Sequence, residues 1–155
     1  MQLLTYSSLY PSSAQAQHGI FVENRLRHIT APKGVAARVV APVPWFPLSG
    51  ARFGRYGGYA SIAEQERRFG IDVRHPRYPV IPKIGMSIAP WLMYRATRGL
   101  VAALRDDPVG FDIIDAHYFY PDGVAAAMLA RAMGRPVVIS ARGTDVNVAR
   151  LRLAA

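Results

Sequence analysis

Cysteine is absent from all 155 residues. That excludes a disulfide scaffold and any thiolate metal site, and it suits the cytoplasm. Lysine is scarce as well, with Lys33 and Lys83 set against seventeen arginines. Basic residues still outnumber acidic ones by 19 to 10, a net charge of +9. Two readings fit that excess: a solvated arginine-rich surface, or attraction to an anion such as a nucleotide diphosphate, an anionic lipid head group or nucleic acid. Long basic runs are missing and only short pairs such as Arg67-Arg68 occur, so no nucleic-acid partner is expected.

Other absences narrow the class further. No run approaches the roughly 18 uninterrupted apolar residues of a membrane-spanning helix. Met1 to Tyr6 lacks a basic leader followed by an apolar stretch and a cleavage site, so no secretory signal is expected. The expected location is the cytoplasm, either free or peripheral at the inner face of the membrane. His18, His28, His75 and His117 show no ligand spacing, and neither a metal nor another cofactor is expected. The glycines of Gly-x-Gly-x-x-Gly are missing after the first apolar run, which removes support for a nicotinamide or flavin site. Repeats and low-complexity segments are also missing.

What remains is the composition of a folded α/β domain, 51% hydrophobic and 19% charged. The length suits one domain that buries roughly two thirds of its extended surface. Leu3 to Ser7 reads as a strand ending in a loop from Ser8 to Ser13. A helix opens at Gly19 or Ile20, with Phe21 or Val22, Leu26 and Ile29 at helical spacing, and Pro32 and Gly34 stop it. Ala36 to Ala41 reads as the second strand. From Pro42 to Tyr59, prolines and glycines interleave with Trp45, Phe46, Phe53, Tyr56 and Tyr59. So many breakers forbid a long regular element, and the aromatics either form the loop's own small core, cover an apolar acceptor or insert at a membrane surface. A short polar helix is expected over Ser61 to Phe69 and a strand over Gly70 to Arg74. The stretch through Pro76, Pro79, Pro82 and Pro90 should be irregular, followed by an amphipathic helix from about Ala89 to Arg105.

The organising stretch is Gly110 to Asp122. Phe111, Ile113, Ile114 and Ala116 form an apolar run that ends abruptly in polar and aromatic residues, which reads as a buried strand delivering His117 to its carboxyl end. An alanine-rich helix over Gly123 to Met133 follows, and then a second apolar run, Val137 to Ile139, ending in Ser-Ala-Arg142-Gly143-Thr144-Asp145. A strand, crossover helix and strand place both polar ends on one edge, the edge at which open α/β sheets hold ligands. Asp112 and Asp115 lie on a strand at an odd offset and point to opposite faces, which disfavours a hydrolase-like carboxylate pair. Gly19 serves either the turn alone or an anion held at a helix start. His117 is either structural or a hydrogen-bonding and proton-shuttling group. Val146 to Ala155 reads as a helix start without a stop, so a truncated element is expected.

Four segments in this order resemble the N-terminal domain of glycosyltransferase family 4. They are the first strand running into Ser8-Leu-Tyr-Pro11, Gly19-Ile-Phe-Val-Glu23, Phe111-Asp-Ile-Ile-Asp-Ala-His117, and Gly134-Arg-Pro-Val-Val-Ile-Ser-Ala-Arg-Gly-Thr-Asp145. The resemblance implies a GT-B architecture, in which two Rossmann-like domains face a cleft. Residues 1–155 would be the first, acceptor-side domain, a mostly parallel sheet flanked by helices. The C-terminal domain, which binds the nucleotide-sugar donor and carries the acidic Glu-x7-Glu residues, would be absent and the fragment inactive alone. Sugar would move with retained configuration and without a required metal to a glycan or lipid-linked acceptor. By position, the resemblance makes His117 the group at the reaction centre. It likewise gives His18, Gly19, Arg142, Gly143, Thr144 and Asp145 to substrate binding. His18 stands where many members have a second glycine, and Arg142 where many have histidine, so Arg142 would meet phosphate or acceptor instead. The alternative is a non-catalytic α/β module for a phosphorylated ligand.

Overall fold

A computed structural model describes residues 1–45, 59–80, 85–141 and 143. Among the described residues eight strands form: β1 (Gln2–Tyr6), β2 (Ala36–Val40), β3 (Val43–Trp45), β4 (Gln65–Arg68), β5 (Ile71–Arg74), β6 (Arg77–Pro79), β7 (Ile113–His117) and β8 (Val137–Ser140). Three long helices accompany them: α1 (Ile20–Thr30), α2 (Gly85–Asp106) and α3 (Val124–Met133). The main sheet runs β4-β5-β2-β1-β7-β8 and is parallel except for the antiparallel edge pair β4–β5. It is a mixed α/β, Rossmann-like architecture with helices on both faces.

The two faces are distinguished by alternation along β1. Leu3 joins Val22 and Leu26 of α1 with Val39 and Val73 in one core cluster. Leu4 and Tyr6 point the other way, into a cluster with Met93 and Val101 of α2 and Leu129 of α3. Period-two alternation is what lets one short strand serve two cores. The chain therefore leaves β1 toward one face and leaves β7 toward the opposite face. Strand order reverses between these two neighbours, and the crevice at their carboxyl ends is the topological switch point.

Three expectations give way. The segment expected to be a polar helix, Ser61 to Phe69, instead contains β4, joined to β5 through Phe69 and Gly70 at φ 48° and 82°. Positive φ at both central residues makes this a tight two-residue hairpin turn. The second helix begins at Gly85 rather than Ala89 and carries Pro90 in its second turn, where the lost N–H costs one helical hydrogen bond. The proline-rich stretch before it is not wholly irregular, because β6 pairs in parallel with β3. β2–β3 and β5–β6 thus continue together past the sheet's carboxyl edge, linked by Ala41 N–H to the Arg74 carbonyl at 2.8 Å and Val43 N–H to the Pro76 carbonyl at 2.9 Å. The aromatic loop from Phe46 to Gly58 and the helix expected over Val146 to Ala155 lie outside the described residues.

Candidate functional site

Gly19 closes the loop that leads from β1 to α1. Its φ of 70° and its contact with the loop both demand glycine, because a Cβ there would stand 2.3 Å from the Leu9 carbonyl oxygen. The preceding His18 is half-buried beside Ser8. Burial pushes its imidazole below the ordinary value, against a hydrogen bond with the Ser8 backbone that favours the charged form. Ser8 in turn is held from the other side of the switch point. The Asp122 carboxylate accepts the Ser8 N–H, and it accepts the Ser8 hydroxyl at 3.0 Å. Asp122 is buried, in a turn (Phe119–Gly123) that connects β7 to α3. Gly123 ends the turn under the Tyr118 carbonyl and the Ile139 side chain, which a Cβ would meet at 2.7 and 2.8 Å.

His117 is the last residue of β7 and its ring is 1% exposed. Asp115, two residues earlier and so on the same face, is buried beside it. Arg25 reaches down from α1 to close the group. Its Nη1 donates to Asp115 Oδ2 at 2.5 Å and lies 3.3 Å from His117 Nε2, which is itself 3.4 Å from the same carboxylate oxygen. Guanidinium only donates and carboxylate only accepts. His117 Nε2 therefore has a partner in either state, accepting from Arg25 when bare and donating to Asp115 when protonated. Burial pushes the Asp115 carboxyl up, but hydrogen bonds from His117 and Arg25 outweigh it and hold the group below its usual range. Tyr118 follows at φ 75° and ψ 139°, a region costly for any side chain, so the backbone is strained immediately beyond the imidazole.

A cavity of about 160 Å³ opens at the carboxyl ends of β1, β2 and β5. Ser8, Leu9, His18, Pro42, Tyr59 and His75 line it among others, whereas His117 does not. Arg77 secures one wall by donating to the carbonyls of Tyr59 at 3.1 Å and Ile62 at 2.8 Å. His75 is buried, with Nε2 2.8 Å from Glu66, whose other oxygen accepts the Ser13 N–H at 3.0 Å. The β1–α1 loop is therefore tied at Ser8 to one neighbour and at Ser13 to another. The Tyr10 hydroxyl, in the same loop, is buried without a hydrogen-bond partner among the described residues.

Of the residues singled out in the sequence, His18, Gly19 and His117 stand at the carboxyl edge of the sheet around the switch point. Gly143 is exposed just beyond β8 at that edge, and Arg142, Thr144 and Asp145 lie outside the described residues. Arg25 on one side and the Asp122–Ser8–His18 chain on the other connect the elements that carry His117 and the Gly19 loop. Sequence reading missed Arg25, Asp122 and Arg77. Among the described residues no three carboxylate or imidazole side chains converge as metal ligands would. Nor is any described helix long and apolar enough to cross a membrane.

No family model matches the chain. Over 149 residues it is 28% identical to the Bacillus subtilis (strain 168) protein named "Putative teichuronic acid biosynthesis glycosyltransferase TuaC". The match takes in 96% of this chain but 38% of that protein's length. The chain is thus a distant homologue of a segment of that protein.

Proposed function

We propose that this chain is the acceptor-side domain of a retaining glycosyltransferase of the GT-B type, moving a hexosyl group from a nucleotide sugar to a glycan or lipid-linked acceptor. One observation carries the reading. The β1–α1 loop and the β7–α3 turn meet at a switch point, bound to each other by Ser8 and Asp122. Cleaving a sugar–phosphate bond builds negative charge on the leaving diphosphate and positive character on the sugar, so the edge needs N–H donors, cations and a group able to hold a proton. In this reading the turn at His18 and Gly19 and the segment Arg142 to Asp145 border the donor. His117 contacts the transferred sugar, with Asp115 and Arg25 supplying a partner to Nε2 in both protonation states. Because the ring is enclosed, ligand contact requires its neighbours to move. The cavity beside Tyr59 and His75 then takes part of the acceptor.

The test is a transfer assay on a chimera in which this chain replaces the matching segment of the Bacillus protein, with a panel of nucleotide sugars and glycan acceptors. Circular dichroism establishes that the chimera folds. Transfer by the chimera, and none by the 155-residue chain alone, is the expected pair of results. A folded chimera that transfers no sugar contradicts the proposal.

A further inference from the structure

β2, β5 and β4 have two unlike faces. Val39, Ile71 and Val73 turn toward α1 and are buried there. The alternate positions face the other way and are mostly polar. Arg67, Asp72 and Arg38 stand opposite one another across the three strands, and Gln65 stands opposite Arg74 in the next row. A groove of about 740 Å³ runs over these five side chains, flanked by Leu104 and Asp107 at the end of α2. A further hollow of about 330 Å³ shares Gln65 and Arg74 and extends it past Leu100 and Arg77.

Donors outnumber acceptors in this groove. Both oxygens of Asp72 are engaged from within it, Oδ1 by the Gln65 amide at 2.9 Å and Oδ2 by Arg74 Nε at 3.1 Å. Asp107 Oδ1 accepts Arg38 Nη2 and the Val109 N–H, each at 2.9 Å. Glu66 also borders the groove, but its carboxylate serves His75 and Ser13 on the α1 side. Three guanidinium groups therefore share two carboxylates. Among the described residues Arg67 donates only its Nε, to the Gly70 carbonyl at 3.3 Å, Arg74 keeps both Nη groups, and Arg38 Nη1 is buried without an acceptor. A buried N–H left unpaired is costly, so what this groove calls for is acceptors that bring negative charge.

A planar carboxylate meets a guanidinium fork through two bonds at once. Arg67 and Arg38 rise from strands roughly 10 Å apart, two strand spacings, so a ligand that meets both carries more than one anionic group. The Gln65 side-chain oxygen stays open to a hydroxyl while its nitrogen donates to Asp72, and Leu100 and Leu104 offer an apolar flank to the C–H face of a sugar ring. No aromatic side chain lines the groove on which a nucleic-acid base would stack. An acidic peptide would bring its own backbone N–H donors to a place already rich in donors. We propose that this groove binds an acidic polysaccharide through the carboxylates of several uronate units. Gly70, Asp72 and Asp107 lie toward the amino ends of the strands, away from His117 and Gly19, so the site does not depend on the sugar-transfer reading.

The experiment titrates the 155-residue chain with oligogalacturonate by calorimetry, beside a maltooligosaccharide of the same length and an oligoglutamate of the same charge. Oligogalacturonate is expected to bind, with amide shifts at Arg38, Gly70, Asp72 and Arg74, and the other two to bind at least about tenfold more weakly. Arg67 has no carboxylate partner among the described residues, so Arg67→Glu should keep its circular dichroism and lose affinity on the order of tenfold or more. Arg95→Glu makes the same charge change on the exposed side of α2 and should leave the affinity as it was. The proposal is overturned by no binding of oligogalacturonate, by equal binding of the neutral glycan or of the acidic peptide, by undiminished binding in the folded Arg67→Glu chain, or by an equal loss in Arg95→Glu.

Discussion

Gly19 has no room for a side chain. A methyl group would press on the Leu9 carbonyl oxygen in a backbone that also has φ 70°, so Gly19→Ala should cost about 2 kcal/mol or more, read as a lower urea midpoint. The glycine was visible in the sequence because it opens an amphipathic helix, but the reason for it was not. Leu9 comes back against it only once the loop is folded. Asp115 gives a pH signature. Its folded carboxyl titrates below the unfolded one, so its contribution is fully present above the unfolded value near pH 4 and is lost as pH falls through the folded value. Asp115→Asn should therefore flatten the acid limb of a stability profile below about pH 4 and leave the slope above pH 5 unchanged. An unaltered acid limb would show that the cluster with Arg25 and His117 is not formed in solution. His117→Ala should lower transfer by orders of magnitude in an active chimera, but it also removes a ring that is 1% exposed, so stability falls with it. His117→Gln, which keeps hydrogen-bonding capacity, separates the two effects: a stable variant that transfers at the full rate rules out the catalytic role. None of these partnerships was legible from local pattern, since Arg25 and Asp115 are 90 positions apart and Ser8 and Asp122 are 114 apart.

Elements with a clear apolar period were legible, and elements without one were not. β1, α1, β7, α3 and β8 follow from runs of Val, Ile and Leu or from helical spacing, and they fix the strand-helix-strand units around the switch point. β4 is Gln-Glu-Arg-Arg, a charged edge strand with no apolar face to betray it, and its nearest signal is the glycine of the hairpin turn. What holds it is tertiary. Arg68 of β4 donates to Glu23 of α1 through Nε at 2.6 Å and Nη2 at 3.3 Å, and Glu23 is 1% exposed. Arg27 also lies 3.8 Å over the Phe69 ring, steadying a residue at positive φ. Arg68→Ala strands a buried carboxylate and should cost about 3 kcal/mol in chemical unfolding. Changing both partners, Glu23→Met with Arg68→Leu, should recover most of that loss. If the single substitution is silent, the pair does not anchor the hairpin.

At the scale of the whole molecule, the fold sorts chemistry by edge and by face. The carboxyl edge collects His18, Gly19, Asp122 and His117 around the reversal of strand order, and the α2–α3 face collects arginine and exposed aromatics. The edge could be inferred from the order of the strands in the sequence. The face could not, because Arg95 and Arg98 read as an ordinary wet stripe until the packing of the Phe119–Gly123 turn against both helices is known. The central claim is that ligands enter at the switch point. Amide chemical-shift mapping of the 15N-labelled chain, titrated with nucleotide sugars and short glycans, tests it most directly. The account expects perturbations at Ser8, Leu9, His18, Gly19 and Tyr118. Shifts confined to the opposite edge, at Ala36, Asp112 and Val137, or none with any member of the panel, would contradict it.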